Sequence, residues 1–300
     1  MEMVLETKSL NKVYGRKKVV DDVNLNIEKG SIYGLIGKNG AGKTTIMRMI
    51  AGLAFPTGGD IRLFENDNIN SGRKKIGCVI ENPAFYGNMT GYQNLLYYNK
   101  MMGVKDNSNI EELIRLVGLD PYDKKKTKHY SLGMKQRLAI AVSLVGNPEF
   151  LILDEPINGL DPTGIKEIRD IILKLKNEKN ITILISSHIL GELEKIATHY
   201  GMINNGKLIQ EFSADKLDTL CRRYVEIKVD NTQEAANILA SELNIEGIEV
   251  IDNEIIVPQG VYEESLLNKT LALKNIYAST ITIKGQDLED YFVEISGGVK

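Results

Sequence analysis

Unbroken apolar runs, rather than alternating ones, recur along the chain at SIYGLIG, at FLILDEP (150–156) and at ITILISSH (181–188). A strand reads this way when both of its faces are covered, as in a parallel sheet between layers of helices. Between the last two runs lies GIKEIRDIILKLKNEK, whose apolar positions return at helical spacing, so helices are expected to flank the sheet. The N-terminal residues instead set short β-rich runs, MVLETKSLNKVY and VVDDVNLNIEKG, between turns. That pattern predicts a small antiparallel sheet leading into the central strand SIYGLIG.

Residues 88–145 read as mainly helical, a subdomain inserted into the α/β core, with Thr90 and Gln93 spaced as a capping box. MINNGKLIQEF carries Asn205-Gly206 between strand-like runs, a hairpin signal, and the pattern changes near 213. Beyond it the strands RYVEIKV, IEVID, EIIVP and STITIKG and the helical runs TQEAANILASEL and YEESLLNKTLALK follow a βαββαβ order, closed by a last helix DLEDYFVEI. The order predicts a small ferredoxin-like α/β unit. Two domains, 1–212 and 213–300, are expected, and no Gly/Ser tract separates them.

Composition narrows the function. Hydrophobic residues make up 43% and charged ones 26%, with a formal net charge of −3, which suits a globular protein and argues against a nucleic-acid partner. No apolar run reaches the roughly 18–20 residues that span a bilayer, and MEMVLETKSL lacks a basic segment followed by an apolar one, so a cytoplasmic location is expected. Cys78 and Cys221 are far apart and lack disulfide or zinc spacing. His129, His188 and His199 lack the i, i+4 pairing of a zinc helix. Lys124 to Lys126 read as a solvated turn.

The stretch GKNGAGKT comprises Gly37, Lys38, Asn39, Gly40, Ala41, Gly42, Lys43 and Thr44, and it lies between a strand and the helical run that opens with Thr44-Thr45. Glycines at this spacing let successive N–H groups turn inward around a phosphate, and the following helix adds its positive end. Lys43 is expected to reach the β- and γ-phosphate oxygens of ATP or GTP, and the Thr44 hydroxyl to ligate Mg²⁺. At the end of FLILDEP, Asp154 is placed to hold Mg²⁺ through water and Glu155 to polarise the attacking water.

With these residues in place, 1–212 resembles an ABC-type ATPase cassette. GKNGAGKT resembles its Walker A loop, YSLGM (130–134) its LSGGQ signature, LILDEP its Walker B strand and NGLD (158–161) its D-loop with Asp161. Tyr14 falls where the family stacks an aromatic ring on adenine, and His188 where it has the switch histidine. The resemblance implies that Ser131 and Gly133 bind the γ-phosphate of an ATP held by the other subunit of a homodimer. Taken alone, Ser131 reads as the N-cap of its own helix; it is the flanking motifs that give it the phosphate role.

Two departures stand out. Glu81 replaces the Gln that the family uses near Mg²⁺; a carboxylate there is still expected to ligate the metal, while adding negative charge and removing a hydrogen-bond donor. Tyr130, Leu132 and Met134 replace Leu, Gly and Gln of the signature. Both resemble the branch associated with bacitracin and lantibiotic self-protection exporters, which also ends in a segment like DLEDYFVEIS. That implies an ATP-hydrolysing subunit, peripheral on the membrane through a separate permease chain and energising export. Phe85, Tyr86 and Tyr92 fall on the surface that takes the permease's coupling helix, or else build core. A soluble ABC-type ATPase and a nucleotide-sensing module without turnover are the alternatives.

Overall fold

The computed structural model describes residues 2–66, 68–81, 85–221, 224–251, 254–258 and 264–297. The expected strand start at Arg223, the helix start at Tyr262 and part of the surface before Phe85 lie outside the described residues. The chain divides into two compact units, Met1–Phe212 and Ser213–Lys300.

In the first unit, β1 (Met3–Tyr14) pairs antiparallel with β2 (Lys17–Val23), β3 (Asn26–Glu28) and β5 (Gly58–Leu63), while β4 (Ile32–Ile36) starts the central sheet. The β-rich run VVDDVNLNIEKG holds the end of one strand and the whole of another. The buried Thr7 hydroxyl donates to the Val23 carbonyl and accepts from the Leu25 N–H, so the chain steps from one half of β1 to the other. Strand β5 gave little signal because it begins Gly58-Gly59 and its polar residues face outward.

The central sheet continues with β6 (Ile76–Val79), β7 (Phe150–Asp154), β8 (Thr182–Ser187), β9 (His199–Asn204) and β10 (Lys207–Ser213), in the order β10-β9-β4-β8-β7-β6. From β9 to β6 neighbouring strands are parallel, and every residue of β4, β7 and β8 is buried, as their apolar runs require. The helix Pro162–Lys179 links β7 to β8, and the Asn205-Gly206 turn, with both residues at positive φ, joins β9 to β10. The helices Gly91–Met101, Ile110–Leu116 and Leu132–Ser143 form the inserted helical region. At its start Thr90 and Gln93 make both bonds of the capping box. Four stations therefore share the carboxyl edge of the sheet: the loops after β4, β8, β7 and β6. Ligands bind along that edge in open α/β sheets.

The second unit places β11 (Tyr224–Lys228), β12 (Glu249–Ile251), β13 (Glu254–Pro258) and β14 (Thr280–Lys284) in the order β12-β13-β11-β14, all antiparallel. The helices Thr232–Leu243 and Glu264–Leu273 share a core with β11 and β13, built on Val225, Ile227, Leu239, Ile255 and Leu267. This is the ferredoxin-like strand order. Leu288 and Phe292 are the buried residues of the last helix, Leu288–Ile295.

Candidate active site

The loop after β4 is shaped by glycine. Gly40 and Gly42 sit at φ 80° and 111°, and a Cβ on Gly37 or Gly42 would lie 2.6 Å from the Ile203 carbonyl oxygen or 2.8 Å from that of Val19. A side chain at either position has no room, so the backbone alone forms the cradle. Lys38, Asn39 and Gly40 stay exposed at its rim, and Ala41 is buried beneath. The helix Lys43–Ala51 begins directly behind, with Thr44 and Thr45 in its first turn. The groove over this loop, 170 Å³, is lined by Val19, Asn39 to Thr45, and Glu155. A larger cavity of 610 Å³ includes Leu113, Leu175 and Ile181 in its wall and shares no residue with the loop. What distinguishes the smaller groove is the glycine loop at a helix N-terminus with Lys43 behind it, and a phosphate chain wrapped by backbone needs little volume.

Lys43 is only 5% exposed, and its ammonium donates to the Gly37 carbonyl at 2.6 Å and lies 3.3 Å from Glu155 Oε1. Thr44 Oγ1 donates to Asp154 Oδ2 at 2.7 Å, and Ser186 Oγ donates to Asp154 Oδ1 at 2.6 Å. Glu155 Oε2 lies 2.7 Å from His188 Nδ1 and accepts from the His188 N–H at 3.3 Å. The structure thus brings Lys43, Thr44, Asp154, Glu155 and His188 into one connected network across three strand ends.

Glu81 is not brought into it. Its carboxylate is mostly exposed and pairs with Arg48 on the helix behind the phosphate loop, not with Thr44 or Asp154. Tyr14 ends β1 half-exposed, with the Lys12 ammonium 4.8 Å from its ring centre, so the ring is open to stacking but already carries a cation on it. Asp161 is the N-cap of Pro162–Lys179, accepting from the Gly164 N–H at 3.2 Å.

Ser131 caps the helix Leu132–Ser143, its hydroxyl accepting from the Met134 N–H at 3.2 Å. It is exposed, and Gly133 beside it is partly so, which leaves orphan N–H groups of the first turn facing outward. Tyr130 turns the other way. It is buried, a Cβ on Gly91 would meet its hydroxyl at 2.9 Å, and burial pushes its phenol above the usual range. Leu132 lies beside the 158–161 loop of the same chain, where a Cβ added to Gly159 would come 3.3 Å from its Cδ2. Two features escaped sequence reasoning: this proximity and the role of Ser186 in the network. The paired serines ending an otherwise apolar ITILISSH were the available signal.

Thr44 and Asp154 fit a small divalent cation. They offer a hydroxyl and one carboxylate, which suits Mg²⁺ bound jointly by protein, substrate phosphates and water. Among the described residues no cluster of three or more His, Cys, Asp or Glu is placed to hold a metal. The aromatic surface is built from Tyr86, exposed and sharing a hydroxyl hydrogen bond of 2.8 Å with Tyr97, its edge-to-face neighbour, and from the half-buried Phe85 and Tyr92. Phe85 lines a 370 Å³ groove with Lys128, Leu132 and Lys135.

A glycine cradle after the first parallel strand, a buried lysine, and a threonine bonded to an aspartate at a neighbouring strand end define a P-loop nucleoside triphosphatase. Residues 20–158 match the family described as ABC transporter. Bacitracin transport ATP-binding protein BcrA of Enterococcus faecalis is 44% identical, the alignment covering 99% of this chain and 98% of that protein. Lantibiotic transport ATP-binding protein SrtF of Streptococcus pyogenes is 46% identical over 72% of this chain and 94% of its own length. A solved ATP-binding subunit of an ABC transporter, 30% identical, superposes with a TM-score of 0.63 over 73% of this chain and 92% of that one. The ADP conformation of an ABC transporter cassette, 25% identical, gives 0.65 over 72% and 95%. The chain belongs to the ATP-binding proteins of ABC transporters, and it is an ATP-hydrolysing subunit of that family.

Proposed function

We propose that this chain hydrolyses ATP to drive export of a peptide antibiotic or other amphiphile through a separately encoded membrane permease, acting as a homodimer with ATP between its two copies. The observation that carries the catalytic reading is the network in which Thr44, Asp154, Glu155, Lys43 and His188 meet at the carboxyl edge of the sheet. The export reading draws on the likeness to bacitracin transport ATP-binding proteins along almost the whole chain and to a lantibiotic transport ATP-binding protein over 72% of it. The dimer draws on Ser131 and Gly133, which stand at the solvent-accessible N-terminus of the helix Leu132–Ser143.

Phosphoryl transfer to water needs positioning and charge neutralisation more than covalent chemistry. Lys43 leaves the Gly37 carbonyl for the β- and γ-phosphate oxygens, supported by the backbone N–H groups of Gly42 to Thr44, while the Ala41 N–H closes the loop on the Lys38 carbonyl. Thr44 and Asp154 would hold Mg²⁺, which supplies charge neutralisation across the phosphates. Glu155 accepts hydrogen bonding from the attacking water and orients it. His188, held on Glu155 here, reaches the γ-phosphate once the nucleotide separates the two side chains. Glu81 joins the metal's surroundings only by leaving Arg48. Among the described residues no helix is long and apolar enough to cross a membrane. Attachment through the permease, on the cytoplasmic face, follows from the export reading, with Phe85 in the groove beside the signature helix as the docking point.

Size-exclusion chromatography with light scattering tests the dimer: Glu155→Gln with Mg·ATP should elute as a dimer, and a monomer under those conditions would remove the sandwich. Deleting the gene in its host should raise sensitivity to bacitracin or a lantibiotic. Unchanged sensitivity to both would reject this cargo class.

A further inference from the structure

Ser186 is fully buried at the carboxyl end of β8, and in the parallel register it stands directly beside Asp154 of β7. Side chains at paired positions of parallel strands leave the sheet on the same face, so a hydroxyl there meets the carboxylate. Its O–H donates to Asp154 Oδ1 at 2.6 Å, and its oxygen accepts the Glu155 backbone N–H at 2.9 Å. One side chain therefore bonds both members of the acidic pair.

Each bond constrains something the reaction needs. With Oδ1 taken by Ser186, the carboxylate of Asp154 is held so that Oδ2 faces Thr44. Glu155 has φ 48°, in the left-handed region that a residue with a Cβ enters only when its surroundings compel it. The bond from its N–H to Ser186 fixes that conformation, and from it the side chain points toward Lys43 and His188. The neighbouring Ser187 does ordinary local work, its oxygen accepting from the Ile189 N–H at 3.0 Å.

We propose that Ser186 is a positioning residue for ATP hydrolysis, setting through one hydroxyl both the orientation of the Asp154 carboxylate and the backbone conformation that aims Glu155. This rests on the reading that Asp154 serves the metal and Glu155 the water. Alanine at 186 removes the partner of a buried carboxylate oxygen and of a partly buried N–H, and both groups are freed to turn. Threonine keeps the hydroxyl.

The test uses the whole chain as Ser186→Ala and Ser186→Thr, with a non-hydrolysable ATP analogue titrated at graded Mg²⁺ concentrations, then steady-state hydrolysis. Ser186→Ala should raise the Mg²⁺ concentration needed for half-maximal analogue binding by about 10–100-fold, the usual cost of losing a partner that orients a metal ligand. It should lower kcat, leave nucleotide binding in EDTA unchanged, and be restored by threonine. Should the alanine variant not fold, Ser186→Cys keeps the volume with a weak donor and reads the same midpoint. An unchanged Mg²⁺ midpoint and kcat, even with a lower melting temperature, would overturn the proposal, as would threonine failing as alanine does. A wild-type chain whose nucleotide binding ignores Mg²⁺ would instead refute the underlying assignment of Asp154.

Discussion

Glu81 and Arg48 form an ion pair that joins the residue beyond the end of β6 to the helix behind the phosphate loop. It cancels the charge that a carboxylate brings to a position where the family has an amide, and it keeps that carboxylate away from Asp154. Both side chains are more than a third exposed, so the pair contributes only about 0.2–1 kcal/mol to stability and weakens in salt. Its consequence lies in where Glu81 points. Arg48→Ala should lower the Mg²⁺ concentration for half-maximal hydrolysis by freeing Glu81, and adding Glu81→Gln should cancel the effect. If the two single variants and the double variant share one Mg²⁺ curve, Glu81 has no part in metal binding.

Lys43 neutralises Glu155 Oε1 and is poised to exchange that partner for phosphate oxygens. A charge-assisted hydrogen bond contributes about 1.5–3 kcal/mol, and tenfold in affinity is about 1.4 kcal/mol. Lys43→Ala should therefore lose at least tenfold in ATP affinity by isothermal titration. Equal affinity would take Lys43 out of the phosphate site.

Tyr33 is 1% exposed and its hydroxyl donates to Glu211 Oε1 at 2.6 Å. Burial, and then the charge and hydrogen bond of Glu211, push its phenol well above the ordinary value of 10.0. The folded state thus holds this proton more tightly than the unfolded chain. The associated stability is complete below the unfolded pKa and falls as pH rises from about 10 toward the folded value. In urea unfolding at graded alkaline pH, Tyr33→Phe should lose less stability above about pH 10 than the wild type. Parallel curves would show that Tyr33 does not govern the alkaline limit.

Gly206 closes the hairpin at φ 81°, and a Cβ there would meet the Val19 carbonyl oxygen at 2.5 Å. Gly15 has φ 58° with nothing within 4 Å of its own Cβ position. Gly15→Ala carries only the left-handed penalty of about 1–2 kcal/mol. Gly206→Ala adds a clash with backbone, so its loss in urea unfolding should be clearly larger. Equal losses would mean that β2 yields without cost.

Much of this was readable in the chain because its physics is local. A phosphate loop is a run of consecutive residues, and the buried strands and the βαββαβ order follow from periodicity. The helix Thr232–Leu243 coincides with TQEAANILASEL. What escaped depends on partners distant in sequence. Thr7 divides β2 from β3 across the sheet, Arg48 takes Glu81 from another element, and Ser186 meets Asp154 through strand register. No local spacing encodes those pairs. Tyr130 shows the same limit: one of the altered signature residues turns inward, while the adjacent Ser131 stays at the surface.

Gly159 sits at φ 74° beside Leu132, and an added Cβ would come 3.3 Å from the leucine Cδ2. Leu132 is half-exposed and its side-chain end has room to shift by the few tenths of an ångström a Cβ needs, whereas the left-handed backbone strains any side chain placed there. The turn itself, more than its neighbour, therefore reserves position 159 for glycine.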